Sequence, residues 1–230
     1  MRCLVTAGPT WEPLDQVRRL TNFSTGSLGG QLANHLAEAG HTVTLLLSET
    51  ATWRSPLAAV RVEPFSTTES LAQRLEAQAA KEAVVIFHAA AVSDFTGGQA
   101  FDRNGDGRLI PLSAGKLSTR SGNLIVELHP TPKLLPRLRD WFPQAFIVGW
   151  KFETDGTRTE VLAHVVRQFE EAGNDLCVAN GPAYGAGFGL VEPSGRHTPL
   201  PDRAALFAAL LKNVTLAGHN FPLVTSLSAS

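Results

Sequence analysis

The sequence has no excess of either charge, few cysteines, no long apolar run and no linker, and each shortage removes a class of protein. Lys and Arg total 20 against 21 Asp and Glu, a formal net charge of -1. No long-range field therefore draws in a polyanion, and nucleic acid is not an expected partner. The two cysteines, Cys3 and Cys177, lie far apart, each in an apolar run. They read as core thiols in a reducing compartment, not as a disulfide framework or a zinc site. No apolar run approaches the roughly 20 residues of a membrane span, and the start MRCLVTAGPT reaches Gly-Pro too early for a signal peptide. A soluble, cytoplasmic protein is expected, with no membrane partner. Hydrophobic residues at 43% and charged residues at 18% place the chain among folded proteins. Without a linker or an internal repeat, it reads as one domain over residues 1–215 and a C-terminal tail over 216–230.

Short apolar runs alternate with segments of helical period, the signature of βαβ units and a mainly parallel sheet. Cys3–Ala7, Thr42–Leu47, Ala83–Ala91, Ala145–Trp150 and Asp175–Ala179 read as strands. Helices are expected over Gly26–Ala39, Ser70–Ala80, Pro132–Trp141, Thr157–Ala172 and about Asp202–Lys212. The Gly-, Asp- and Asn-rich stretch Gly97–Gly107 reads as irregular, and Leu109–Leu112 and Leu124–Leu128 on either side of a polar segment are expected to pair as a hairpin. The fold class is α/β, a Rossmann-like three-layer sandwich with a small β-hairpin or flap.

Three segments carry chemistry. Asn22-Phe-Ser-Thr-Gly-Ser-Leu-Gly-Gly30 leads into a helix, where free N–H groups, the helix dipole and Gly26, Gly29 and Gly30 suit a phosphate. About twenty residues separate it from the first strand, so it is not the dinucleotide fingerprint, and no Lys-Ser or Lys-Thr follows as in a Walker A loop. A capped helix with close-packing glycines is the plain alternative. Asp94, in Ala89-Ala-Ala-Val-Ser-Asp-Phe95, stands at the carboxyl end of the central strand, where open α/β sheets bind ligands; an ordinary loop acid explains it equally well. Asp102–Leu109 fits the first half of an EF-hand loop, but Ser113 replaces the twelfth-position Glu and no helices flank it, so a turn-rich loop explains it better. Lys116 is either a solvated loop charge or a cation closing over phosphates. The seven His form no metal-ligand pattern, His88 reads as a core histidine, and no nucleophile-elbow serine occurs. A phosphorylated ligand is indicated, and the reaction is not.

Taken in order, seven segments resemble the phosphopantothenoylcysteine synthetase family, also called phosphopantothenate–cysteine ligase. They are Val5–Asp15, Val17–Gly26, Ala90–Phe95, Gly115–Ser118, Thr131–Leu135, Val148–Asp155 and Asp175–Asn180. The resemblance implies a cytoplasmic homodimer that couples 4'-phosphopantothenate to L-cysteine in coenzyme A biosynthesis. A nucleoside triphosphate, ATP or CTP, activates the carboxylate as an acyl-nucleotide, and Mg2+ is required. By the same resemblance Gly8, Ser24, Gly26 and Gly29 form the phosphate cradle, with Trp150 and Asn180 near base and ribose. Asn22 holds the acyl-nucleotide, while Ala90, Ala91 and Asp94 wall the pantothenate side. Arg18 reaches the neighbouring subunit's substrate, and Lys116 is the flap lysine that offsets charge on the α-phosphate. Metal ligands are not implied. Since the chain starts at the synthetase's first strand, neither a fused decarboxylase nor a flavin site is expected. Two other readings stay open: a nicotinamide-dependent Rossmann oxidoreductase, and a non-catalytic nucleotide-binding homologue.

Overall fold

The structure, a computed structural model, describes residues 1–57, 60–80, 85–112 and 123–220. Its strands are β1 (Arg2–Ala7), β2 (Trp11–Pro13), β3 (Arg19–Thr21), β4 (Thr42–Ser48), β5 (Val60–Phe65), β6 (Val85–His88) and β7 (Phe95–Arg103). There follow β8 (Leu109–Leu112), β9 (Asn123–Pro130), β10 (Phe146–Phe152), β11 (Leu176–Asn180), β12 (Phe188–Val191) and β13 (His197–Leu200). The helices are α1 (Ser27–Glu38), α2 (Thr68–Ala79), α3 (Leu134–Trp141), α4 (Arg158–Ala172) and α5 (Arg203–Asn220).

The main sheet has the order β13-β12-β11-β10-β6-β1-β4-β5. From β11 across to β5 all neighbours are parallel, and β12 and β13 are each antiparallel to the strand before. The six parallel strands have the doubly wound order 3-2-1-4-5-6, which places a ligand crevice at the carboxyl edge beside the central strand. Strand alternation sorts the core into layers. Val5, Phe87, Val148 and Val178 pack beneath α1 and α5. Leu4, Ile86 and Ile147 meet α2 and α3 on the other face, and Cys177 and Ala179 meet Val161 and Val165 of α4. Covered on both faces, β1 and β6 are mainly apolar, with Cys3–Val5 and Val85–Phe87 buried, as the three-layer expectation requires.

Burial pushes both cysteine thiols up to about 12; the two are free and buried, core thiols as expected. Among the described residues no helix is long and apolar enough to cross a membrane.

The small antiparallel element beside the main sheet is present, but its pairing differs from expectation. Leu109–Leu112 and the 124–128 segment do not pair with each other; β8 and β9 flank β7 in the order β8-β7-β9. Gly97–Gly107 is therefore not wholly irregular, since β7 runs through its first half. The glycines hide that strand because each leaves room for a neighbour. A Cβ on Gly98 would sit 2.3 Å from the His129 ring, and one on Gly97 2.8 Å from the Pro13 carbonyl. The candidate calcium loop is the β7–β8 turn, closed by Gly107 N–H donating to the Asn104 carbonyl at 2.9 Å. No cluster of three or more His, Cys, Asp or Glu able to hold a metal occurs among the described residues.

Candidate functional site

The crevice is built where β1 and β6 leave the sheet side by side. Beyond Ala7 the chain turns at Gly8 with φ 86°, and the two exits are zipped together. Ala91 N–H donates to the Gly8 carbonyl at 3.0 Å and Thr10 N–H to the Ala91 carbonyl at 3.1 Å. The β2–β3 hairpin then fills the place where a dinucleotide fold has a short turn into its first helix. Its base is fixed by buried hydrogen bonds: Thr10 Oγ1 accepts from Ser93 N–H at 2.8 Å, and Glu12 accepts from Thr68 N–H at 2.8 Å. Thr21 Oγ1 donates to the Thr10 carbonyl at 2.8 Å. Asn22 leaves this hairpin exposed at the crevice, its Nδ2 donating to the Val92 carbonyl at 3.0 Å. Asn22, Ala90, Ala91 and Asp94 are thus brought to one wall.

The other wall is the start of α1. Thr157 caps α4 and Thr67 caps α2 through their hydroxyls, but the α1 cap is Gly26, in the left-handed region and with no side chain to offer. No acidic residue lies in its first turn; Ser27 N–H donates to Thr25 Oγ1 at 3.2 Å, and the N–H groups of Leu28 and Gly29 with the positive dipole end remain available to an anion. Gly8 and Gly26 face each other. A Cβ on Gly26 would lie 3.4 Å from Gly8 Cα and 3.1 Å from Ala51 Cβ, closing the cradle. Gly29 acts differently: a Cβ there would meet Ala7 Cβ at 2.6 Å, so its bareness lets α1 approach β1. Ser24 is half-buried in the loop just ahead.

Asp94 is exposed but not free, because the Lys133 ammonium is paired with it. Lys133 is the residue before α3, whose start also lacks a side-chain cap. Thr131 N–H donates to the Asp94 carbonyl at 3.0 Å. Lys133 received no role from the sequence, although it stands inside the Thr131-Pro-Lys motif; its signal was a cation beside a proline-marked helix start. Thr10 and Ser93 were likewise unassigned, for their hydrogen bond joins positions distant in sequence.

Trp150 and Asn180 lie at the carboxyl ends of β10 and β11 on the α1–α5 face. Both are half-buried, and Trp150 Nε1 and Asn180 Oδ1 are buried without a hydrogen-bond partner. On the opposite face Glu153 accepts from His164 at 2.9 Å and pairs with Lys151 at 3.3 Å. Partial burial would raise the Glu153 pKa, but these two hydrogen bonds and charges bring it below the usual carboxylate value. Arg18 is in the β2–β3 turn, its guanidinium 2.9 Å from Asp15. Lys116 lies outside the described residues.

Beneath the crevice His88 is buried, with Nδ1 3.1 Å from Thr6 Oγ1, which also accepts from Ala90 N–H at 3.1 Å. Burial pushes the His88 pKa down to about 4. Because the folded value is below the unfolded ~6.5, the contribution to stability is complete above that pH and is lost as pH falls through 4, about 3 kcal/mol in all. Urea melts at neutral pH and near pH 4.5 should show this loss, and a His88→Leu variant should lose less over the same interval. Equal losses in both proteins would remove His88 from the acid response.

A family model described as the DNA/pantothenate metabolism flavoprotein C-terminal domain matches residues 1–195. The bifunctional coenzyme A biosynthesis protein CoaBC of Thermococcus kodakarensis is 34% identical over 181 residues, 78% of this chain and 41% of that protein. The chain spans less than half the length of the curated relatives it matches. Among solved structures, the DNA/pantothenate metabolism flavoprotein of Streptococcus pneumoniae superposes with a TM-score of 0.80 at 22% identity, covering 94% of this chain and 99% of that one. A Cab2 mutant in complex with phosphopantothenate-cysteine superposes with a TM-score of 0.72 at 22% identity, over 95% and 86% of the two chains. At that identity the two structures speak to the fold.

Proposed function

The chain belongs to the DNA/pantothenate metabolism flavoprotein C-terminal domain family, and from that membership we propose that it is a phosphopantothenate–cysteine ligase. The observation that carries the reading is the uncapped start of α1 facing Gly8 at the switch point of the sheet, directly beside Asn22 and Ala91. That arrangement suits a phosphate chain laid against a carboxylate. In the first step a carboxylate oxygen of 4'-phosphopantothenate attacks the α-phosphorus of ATP or CTP, and pyrophosphate departs. In the second the cysteine amine attacks the acyl carbon, the nucleoside monophosphate leaves, and the amine gives up a proton as the amide forms.

The work assigned to this chain is positioning and charge neutralisation. The α1 amides with Gly8, Ser24, Gly26 and Gly29 hold phosphates. Trp150 and Asn180 take base and ribose, with the unpartnered Asn180 oxygen open to a donor. Asn22 steadies the acyl-nucleotide, Ala90 and Ala91 leave room for the pantothenate arm, and Lys116 offsets charge at the α-phosphate. Asp94 is engaged by Lys133, and the described residues form no carboxylate cage. Mg2+ would come with the triphosphate, held mainly by phosphate oxygens, and would supply charge neutralisation there. We assign the exposed apolar side chains Phe95, Leu109, Ile110, Leu124 and Leu128 of the β8-β7-β9 sheet to contact with a second copy, in which Arg18 serves the neighbouring site.

The test incubates purified protein with 4'-phosphopantothenate, L-cysteine, Mg2+ and either ATP or CTP. Pyrophosphate release and the amide product are expected with at least one nucleotide, and the preferred one identifies the co-substrate. Silence with both would end the ligase reading. The β2–β3 hairpin, standing where a dinucleotide turn would be, disfavours a nicotinamide oxidoreductase.

A further inference from the structure

Arg203 is the first residue of α5, and the reversals at β12 and β13 bring that helix start to the same sheet edge as the start of α1. Its Nη1 donates to Ser27 Oγ at 3.3 Å and to Gln31 Oε1 at 3.1 Å, two positions one turn apart on α1. Among the described residues Arg203 has no carboxylate partner; the neighbouring Asp202 spends an oxygen on Ala205 N–H at 2.9 Å, capping α5. The guanidinium therefore stands beside the positive end of α1, where the first turn has no acid and the side-chain acceptor present is the neutral Thr25 hydroxyl, on Ser27 N–H. Two positive potentials held together by neutral hydrogen-bond partners leave an uncompensated field that an anion would relieve. Only some of the five donors of the guanidinium are used, so its fork keeps capacity for phosphate oxygens. Position 203 also lies past residue 195, where the family match ends, so this cation is outside the segment that the match covers.

We propose that Arg203 is a phosphate-binding residue selecting the triphosphate, contacting the two phosphates that leave as pyrophosphate. This rests on the ligase reading of the same cradle. The hairpin carrying Asn22 leans on α2, through Thr68, on one side of the sheet, whereas Arg203 approaches the cradle from the α1–α5 side. The reacting α-phosphorus belongs with the carboxylate at Asn22, and the charge-rich terminal phosphates belong with Arg203.

Calorimetric titration of wild type, Arg203→Gln and Arg203→Lys with the active nucleoside triphosphate, its monophosphate and inorganic pyrophosphate tests this. Arg203→Gln should bind triphosphate and pyrophosphate roughly ten- to a hundredfold more weakly, the loss of a charge-assisted contact, with monophosphate affinity unchanged. Arg203→Lys should recover part of the difference. A merely interhelical tie predicts a lower melting temperature and no change in the ratio of triphosphate to monophosphate affinity, and that result would overturn the proposal while leaving the ligase reading intact. Failure of wild type to bind any of the three would remove the ligase reading itself.

Discussion

Replacing Asn22 by Ala should leave nucleotide affinity within about twofold of wild type and lower kcat by roughly two to three orders of magnitude, the cost of removing one positioned donor from a transition state. The side chain is exposed and its single hydrogen bond is to the Val92 carbonyl, so the substitution leaves no buried group unpaired and the fold should be unaffected. The loss should appear in kcat with little change in KM for the nucleotide, because the role assigned to Asn22 is holding the acyl-nucleotide rather than capturing triphosphate. Rapid-quench analysis should find the first half-reaction less impaired than the amide-forming one. Unchanged turnover would strike Asn22 from the mechanism.

Gly8→Ala is expected to damage both the fold and the site. At φ 86° a side chain costs about 1–2 kcal/mol. The new Cβ would also lie 2.8 Å from Ser48 Cβ and 3.2 Å from Ala51 Cβ. Ser48 cannot easily retreat, for it is buried and its hydroxyl donates to the Pro9 carbonyl at 2.5 Å. Overpacking adds roughly 1–3 kcal/mol, so a total of about 2–5 kcal/mol is set against the 5–15 kcal/mol of a typical domain. A fall of several degrees in Tm should accompany loss of triphosphate binding, because the same turn carries the carbonyl that holds Ala91. An unchanged Tm would mean that the β1 exit relaxes freely.

These two residues also mark how far the sequence could be read. The central parallel strands and all five helices were legible because burial on two faces, or helical period, writes itself into local pattern. Strand β5 was not: it is the sheet's edge, with Arg61, Glu63 and Pro64 among its residues. The hairpin β2–β3 is held by Thr10, Glu12 and Thr68, whose contacts cross long stretches of chain. Within the site, the positions of Gly8, Gly26 and Asn22 came from ordered motifs. The pairing of Asp94 with Lys133 and the reach of Arg203 to α1 depend on tertiary geometry that no local window contains.

The place of β1 in the middle of the main sheet has a consequence in time. It precedes its partners in the chain: β4 and β6 begin at residues 42 and 85, and α5, in the layer above the sheet, begins at residue 203. The partners of β1 thus follow at increasing sequence separation, and the layer that includes α5 is closed by the contacts of highest separation. The walls around Gly8 and Asn22 are tied by contacts among residues 8–94, so they can be set before α5 docks on α1, β12 and β13.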